Sequence, residues 1–195
     1  LQFFILSCKM KSKVKNIKNI TKRKDALRKG WEKMINIYPK GYFESVQEIT
    51  IQYIIKNKIK VLILDVDNTL IDYYENLSKE VEEWAKNLRG QGVKLYILSN
   101  SNKKEKVEKV AKKLEIPFKN FAMKPFKKGF LEIQKEIKEE PEHIAVVGDQ
   151  IFTDILGGNR CNMFTILVDP INPKDYWYTA WKRPIENKIK SKIKN

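Results

Sequence analysis

The chain has 195 residues, 42% apolar and 11% aromatic, with a net charge of +15. That length and apolar content suit one globular domain with decorated ends, and they exclude an intrinsically disordered chain or a multidomain machine. No stretch approaches the roughly 20 apolar residues of a membrane span, and two cysteines make no disulfide framework.

The charge is segregated. Residues 1–60 carry 15 Lys and Arg against 4 Asp and Glu, residues 61–169 carry 17 against 18, and residues 170–195 carry 7 against 2. A near-neutral middle therefore lies between two basic flanks, and such flanks attract nucleic acid or an acidic membrane. Lysine supplies 34 of the 39 bases. An AT-rich genome would favour that ratio, so codon bias is the alternative explanation for the size of the excess. The apolar octet Leu1–Cys8 precedes Lys9, Lys11, Lys13 and Lys15, the reverse polarity of a secretory signal. It fits translation from upstream of a start at Met10. Residues 1–24, with eight bases and no acid, are similar in composition to an organellar transit segment, although nearly all the bases are lysine.

The predicted elements follow in order. Leu27, Trp31, Met34 and Ile35 mark a helix that stops before Pro39, and Gly41 breaks the chain. Val46, Ile49 and Tyr53 mark a second helical pattern. Both helices have basic neighbours and would pack on the domain, a partner or a membrane surface. Val61–Leu64 is a continuous apolar run ending in Asp65, as a strand buried on both faces requires. Ser78 can cap a helix presenting Val81, Trp84, Ala85 and Leu88, closed by Gly90. Val93–Leu98 is a second strand, ending at Ser99. A helix with Val107, Val110, Ala111 and Leu114 stops before Pro117, and one with Phe130, Ile133 and Ile137 stops before Pro141. Ile144–Val147 is a third strand, ending in Gly148 and Asp149. Ile151, Phe152, Ile155 and Leu156 stand at helical spacing, and Thr165–Val168 is a last strand. Strands alternating with helices predict an α/β fold with a doubly wound parallel sheet. Such sheets bind ligands beyond the carboxyl ends of their strands.

Polar residues interrupt the pattern at those ends. They are Asp65, Asp67, Asn68 and Thr69 after the first strand, Ser99 and Asn100 after the second, Lys124 before a helix, and Asp149 and Asp154 after the third. A strand-end aspartate often caps the next helix, and a lone lysine is usually solvated. Four carboxylates, a hydroxyl and a lysine converging on one sheet edge need a common explanation. His143 reads as a surface or capping residue, and Cys8 and Cys161 as inert thiols. Tyr176, Trp177, Tyr178 and Trp181 read as packing, with interfacial anchoring the alternative.

The ordered set Asp65-Val66-Asp67-Asn68-Thr69, Ser99-Asn100, Lys124-Pro125 and Gly148-Asp149-Gln150-Ile151-Phe152-Thr153-Asp154 resembles the four motifs of the haloacid dehalogenase (HAD) superfamily. More narrowly, the strings DVDNTL, LSN, KP and GDQIFTDILGGNR are similar to the YqeG-type, class IIIA phosphatases. That resemblance spans roughly residues 37–190 and includes Thr179, Arg183 and Glu186. It departs at Cys161-Asn162, where a small residue and a glycine are expected.

The resemblance implies a HAD Rossmann-like core and an aspartyl-phosphate mechanism. Asp65 would be the nucleophile, splitting a slow phosphate-ester hydrolysis into two displacements. Asp67 would protonate the leaving oxygen and then deprotonate water, with a pKa raised by acidic neighbours. Mg²⁺ would be held by the Asp65 carboxylate, the Asp67 backbone carbonyl and Asp149. Ser99 would hydrogen-bond a phosphoryl oxygen and Lys124 would offset its charge. Asp154 would stand behind the metal or orient Lys124, and with Thr69 and Asn100 it would support the substrate.

Many members of that superfamily insert a cap domain. Here Asp67 to Ser99 spans 32 positions and Ser99 to Lys124 spans 25, room for about one helix each and for no cap. An uncapped site suits a phosphate displayed on something large. The expected plan is a basic helical N-terminal extension over 1–36, a phosphatase domain over 37–190 and a basic tail over 191–195. Relatives implied by the resemblance hydrolyse phosphatidylglycerophosphate to phosphatidylglycerol. The leading expectation is therefore a phospholipid-biosynthetic hydrolase, cytoplasmic and peripheral to the membrane, with an anionic phospholipid as partner. An organelle matrix is the alternative location if residues 1–24 are a transit segment. Alternative functions are a soluble phosphatase for a nucleotide or sugar phosphate, or a nucleic-acid-associated protein that keeps the fold, which the intact motif set disfavours.

Overall fold

A computed structural model of the chain describes residues 36–172 and Ser191. The helix expected through Leu27–Ile35, Cys8, the aromatic group at 176–181 and Thr179, Arg183 and Glu186 lie outside the described residues, as do most of the two flanks.

Six parallel strands form one sheet in the order β1-β6-β5-β2-β3-β4. They are β1 Gly41–Phe43, β2 Val61–Leu64, β3 Lys94–Leu98, β4 Phe118–Lys119, β5 Ile144–Gly148 and β6 Phe164–Val168. The helices are α1 Ile51–Lys56, α2 Lys79–Gly90, α3 Lys104–Leu114, α4 Lys128–Ile137 and α5 Leu156–Arg160. Between Asp67 and Ser99 the one helix is α2, and between Ser99 and Lys124 α3 and the two-residue β4 are the regular elements, so no cap is inserted.

The core has two layers because side chains alternate along β2. Leu62 and Leu64 join Val81, Trp84, Leu88, Val107 and Val110 from α2 and α3 on one face. Val61 and Ile63 join Phe130 and Ile133 from α4, with Met163, on the other. All four residues of β2 are buried, which is why that strand reads as an unbroken apolar run. Ser78 caps α2, its hydroxyl accepting from the Val81 N–H at 3.3 Å. The Trp84 indole N–H donates to the Ile49 carbonyl at 3.0 Å and ties α2 to the segment before α1.

Several expectations are corrected. Gly41 opens the edge strand β1 rather than breaking the chain, pairing with Ile166 of β6. Val46, Ile49 and Tyr53 are not one helix. Val46 lies in a 3-10 turn, and a fresh helix begins after Thr50, whose hydroxyl accepts from the Tyr53 N–H. Gly90 is the last residue of α2, and the positive-φ turn falls two residues later at Gly92 (φ 85°). Ile151–Ile155 forms a wide π turn before α5 begins. At the Cys161-Asn162 departure Asn162 takes φ 59°, a left-handed conformation that asparagine tolerates better than most residues. Cys161 is buried, and burial raises its thiol pKa, as an inert thiol requires.

The chain leaves β2 toward β3 and β4 on one side and returns to β5 and β6 on the other. The switch point of this doubly wound sheet therefore lies between β2 and β5, where a crevice opens beyond their carboxyl ends. Phe130 is fully buried against β2 and β5. We expect Phe130→Ala to destabilise the domain by about 3–5 kcal/mol, read as a lower urea midpoint at unchanged slope.

Candidate active site

The crevice collects acids at the ends of neighbouring strands. Leu64 pairs with Val147, and the Asp65 N–H continues the ladder to the Val147 carbonyl at 2.9 Å. That places Asp65, just past β2, abreast of the end of β5, where Asp149 follows. Asp65, Asp149 and Asp154 are all buried, and their carboxylate oxygens lie within 4.8 Å of one another. Asp154 reaches the cluster because the π turn brings a residue five positions after Asp149 back over the strand end. A glycine at 148 is also required. A Cβ there would stand 2.4 Å from the Asp154 carboxyl carbon.

One cation serves this cluster. The Lys124 ammonium donates to Asp65 Oδ1 and to Asp154 Oδ1, each at 2.6 Å, and its side chain is only 3% exposed. Burial alone lowers the Lys124 pKa, but the Asp154 and Asp65 carboxylates more than reverse this and hold it above the ordinary lysine value. Burial pushes the Asp65 carboxyl up to about 7, with Lys124 pulling against it and the Asp154 and Asp67 charges adding to the rise. Asp154 Oδ2 accepts from the Thr153 hydroxyl at 3.1 Å, so both of its oxygens are engaged.

The other predicted residues surround this core. Asn100 brackets the Lys124 backbone, its Nδ2 donating to the Lys124 carbonyl at 3.0 Å and its Oδ1 accepting from the Lys124 N–H at 2.6 Å. Asn100 thus positions the lysine. Thr69 does the same for Asp149, its hydroxyl accepting from the Asp149 N–H at 3.2 Å. Ser99 is 1% exposed, and its hydroxyl accepts from the Ser101 N–H. The Asp67 carboxylate lies outside the three-acid group and ion-pairs with Lys106, which reaches in from α3 and is 8% exposed. His143 accepts or donates at Nδ1 with Glu139 in the turn before β5, on the opposite edge of the sheet.

One contributor escapes the sequence reading, and another has a role it did not assign. Lys106 is one of several lysines on α3, and nothing in the spacing singles it out. Asn68, at φ 62°, clamps the segment after β6. Its Oδ1 accepts from the Asn172 N–H at 3.0 Å, and its Nδ2 donates to the Asn172 carbonyl at 3.2 Å. Asn68 stood among the strand-end polar residues with no role of its own, and asparagine tolerates the left-handed backbone it adopts.

The donor set fits a hard divalent cation. Three buried carboxylates against one ammonium leave a formal charge of −2, which burial does not tolerate unless it is compensated. All the donors are oxygens, as magnesium and its relatives prefer. Lys124 and Thr153 occupy Asp154, so Asp65 and Asp149 are the carboxylates placed to ligate.

A parallel sheet carrying this acid and lysine cluster at its switch point has the arrangement that the resemblance to HAD phosphatases implies. The family model described as Mitochondrial PGP phosphatase matches residues 17–172. The probable phosphatase YqeG of Bacillus subtilis is 34% identical over 157 residues, which cover 80% of this chain and 91% of that protein. The chain belongs to the PGP phosphatase family and is similar to YqeG. Solved structures are more distant. A HAD-like family hydrolase from Porphyromonas gingivalis is 15% identical, with 66% of this chain and 98% of that one covered and a TM-score of 0.49. An uncharacterized protein from Listeria monocytogenes serotype 4b is 18% identical, with 68% and 99% covered and a TM-score of 0.48.

A cation bound only by the folded site must stabilise the fold. Addition of millimolar Mg²⁺ is expected to raise the melting temperature of the chain, and Asp149→Asn is expected to remove that rise. Differential scanning calorimetry with and without the ion measures both.

Proposed function

We propose that this chain hydrolyses the terminal phosphomonoester of phosphatidylglycerophosphate at a membrane surface, using Mg²⁺ and an aspartyl-phosphate on Asp65. The observation that carries the chemistry is Asp65 itself. It is a buried carboxylate at the switch point, gripped by Lys124 and within reach of Asp149. Supporting the substrate are the description of the matching family and the open crevice, which has no cap to enclose a small metabolite.

Asp65 Oδ attacks phosphorus as the bond from phosphorus to the glycerol oxygen breaks. Asp67 gives its proton to that leaving oxygen, and phosphatidylglycerol departs. Asp67 then takes a proton from water, whose oxygen attacks the aspartyl-phosphate, breaks its bond to Asp65 and releases inorganic phosphate. Lys124 and the Ser99 hydroxyl receive the charge that gathers on the phosphoryl oxygens. Bound Mg²⁺, held by Asp65, the Asp67 backbone carbonyl and Asp149, would neutralise the repulsion between carboxylate and phosphate and polarise the phosphoryl group. Asp154, Asn100 and Thr69 keep Lys124 and Asp149 in place. In the structure the Asp67 carboxylate pairs with Lys106, so Asp67 must leave that pair and carry a proton before it can act as the acid.

Among the described residues no helix is long and apolar enough to cross a membrane. Contact with lipid would then be peripheral, helped by the basic flanks at about 1 kcal/mol per well-placed lysine. A substrate panel tests the reading. Phosphatidylglycerophosphate in mixed micelles should be turned over faster than nucleotide or sugar phosphates, and Asp65→Asn should lower that turnover by about 10³-fold or more while leaving the circular dichroism spectrum unchanged. Faster turnover of a water-soluble phosphate would refute the lipid assignment.

A further inference from the structure

Nine large apolar side chains are exposed among the described residues, and six of them stand at one edge of the sheet. Tyr73 and Tyr74 follow the first motif after β2, Phe121 and Met123 follow β4, Phe126 follows Lys124, and Ile171 follows β6. All six therefore sit on the carboxyl edge that carries Asp65. They fall on both sides of it, because β6 and β4 lie on opposite sides of β2 in the sheet order.

The loops that bear them are built rather than loose. The Tyr73 N–H donates to Asn172 Oδ1 at 2.8 Å, and the Ile171 N–H donates to the Asn68 carbonyl at 3.0 Å. The Tyr73 and Tyr74 rings meet edge to face, with centroids 5.6 Å apart. On the other side the Phe121 N–H donates to the Ser101 carbonyl and the Ala122 N–H to the Ser99 carbonyl. Phe121 and Met123 both have left-handed backbones (φ 53° and 52°), which bulky side chains disfavour. The fold holds two apolar side chains in water, 62% and 50% exposed, in a conformation that opposes them. Strain of that kind clusters at ligand clamps and active sites.

Charge names the occupant. Exposed Lys127 and Lys128 follow Phe126 directly. A groove of about 610 Å³ is lined by Lys103, Lys104, Lys106 and Lys109, with Glu75 and Glu105 the acids among them. Its Lys106 is the residue paired with Asp67. Aromatic and apolar side chains interspersed with lysines suit the headgroup layer of an anionic bilayer, where rings bury and ammonium groups meet phosphate. A protein partner would call for a continuous apolar core with few charges at its centre.

We propose that this rim is the membrane-docking face: Tyr73, Tyr74, Phe121, Met123, Phe126 and Ile171 enter the headgroup layer of an anionic bilayer around the open site. The proposal rests on the lipid-phosphatase reading and adds the surface that makes it work. A glycerophosphate headgroup stands only a short way above its bilayer. Asp65 is 7% exposed at the floor of the crevice, so the loops around it must press into that layer for phosphorus to arrive. The basic flanks then supply attraction, and the rim supplies orientation.

The full-length triple variant Tyr74→Ser, Phe121→Asn, Phe126→Ser tests this, with Tyr74→Ser alone as the milder change. Turnover is compared on a short-chain phosphatidylglycerophosphate below its micelle concentration and on the long-chain lipid in phosphatidylglycerol–phosphatidylcholine vesicles. Flotation with the same vesicles lacking substrate is measured at moderate salt. The variants should match the parent on the short-chain substrate, and the triple variant should lose about tenfold or more on vesicles and float less. Equal vesicle turnover by parent and triple variant overturns the proposal, as does a dimer that depends on these three residues in sedimentation velocity. If the parent hydrolyses neither form of the lipid, the substrate reading fails by itself. Flotation then decides the rim, reduced binding supporting it and equal binding overturning it.

Discussion

The ammonium of Lys124 is the hinge of this structure. It lies almost wholly inside the protein, hydrogen-bonded to Asp65 and Asp154, with Asp149 beside them. Removing one partner from a buried ion pair costs about 3–5 kcal/mol, because the other charge is left uncompensated. Three carboxylates against one ammonium leave two negative charges in excess, so the cluster favours positive charge from outside. Such a cluster repels a phosphate dianion unless that charge is supplied. The lysine is what keeps these buried carboxylates tolerable side by side.

The fold delivers this arrangement with few devices. Winding the chain both ways from β2 opens a crevice between β2 and β5 without an added domain. Ladder pairing sets Asp65 and Asp149 side by side. A π turn of five residues returns Asp154 to the same point, and Gly148 leaves the space that the Asp154 carboxyl fills. Wide turns of this kind recur at functional sites. Asn100, Thr69 and Asn68 spend their side chains on backbone groups of neighbouring loops, so the reactive residues are held by hydrogen bonds rather than by packing alone.

What the amino-acid sequence made legible follows from burial. β2 and β5 are buried on both faces and read as apolar runs, and the three amphipathic helix patterns between residues 78 and 137 correspond to α2, α3 and α4, with Ser78 capping the first, whereas most of the next pattern falls in the π turn before α5. The motif acids could be placed because they interrupt those runs. Short edge elements were hidden. β1 and β4 have three and two residues, too few to show a period, and Gly41 reads as a breaker in any sequence. The break between Val46 and α1 was hidden too, since a 3-10 turn and a helix share nearly the same apolar spacing. Lys106 was invisible among its lysine neighbours. Its partner is 39 positions away, and only the crossover from β3 through α3 brings it to Asp67. The aromatic residues of the rim carried no signal until the fold put loops from three strands on one edge.

The claim on which all of this turns is that Asp65 accepts the phosphoryl group. The most direct measurement is a crystal structure of the chain with Mg²⁺ and beryllium trifluoride, a mimic of an acyl-phosphate. The account predicts beryllium bonded to a carboxylate oxygen of Asp65, one fluoride facing Lys124 and the metal between Asp65 and Asp149. An adduct on any other side chain, or a metal seated away from Asp65 and Asp149, would contradict it.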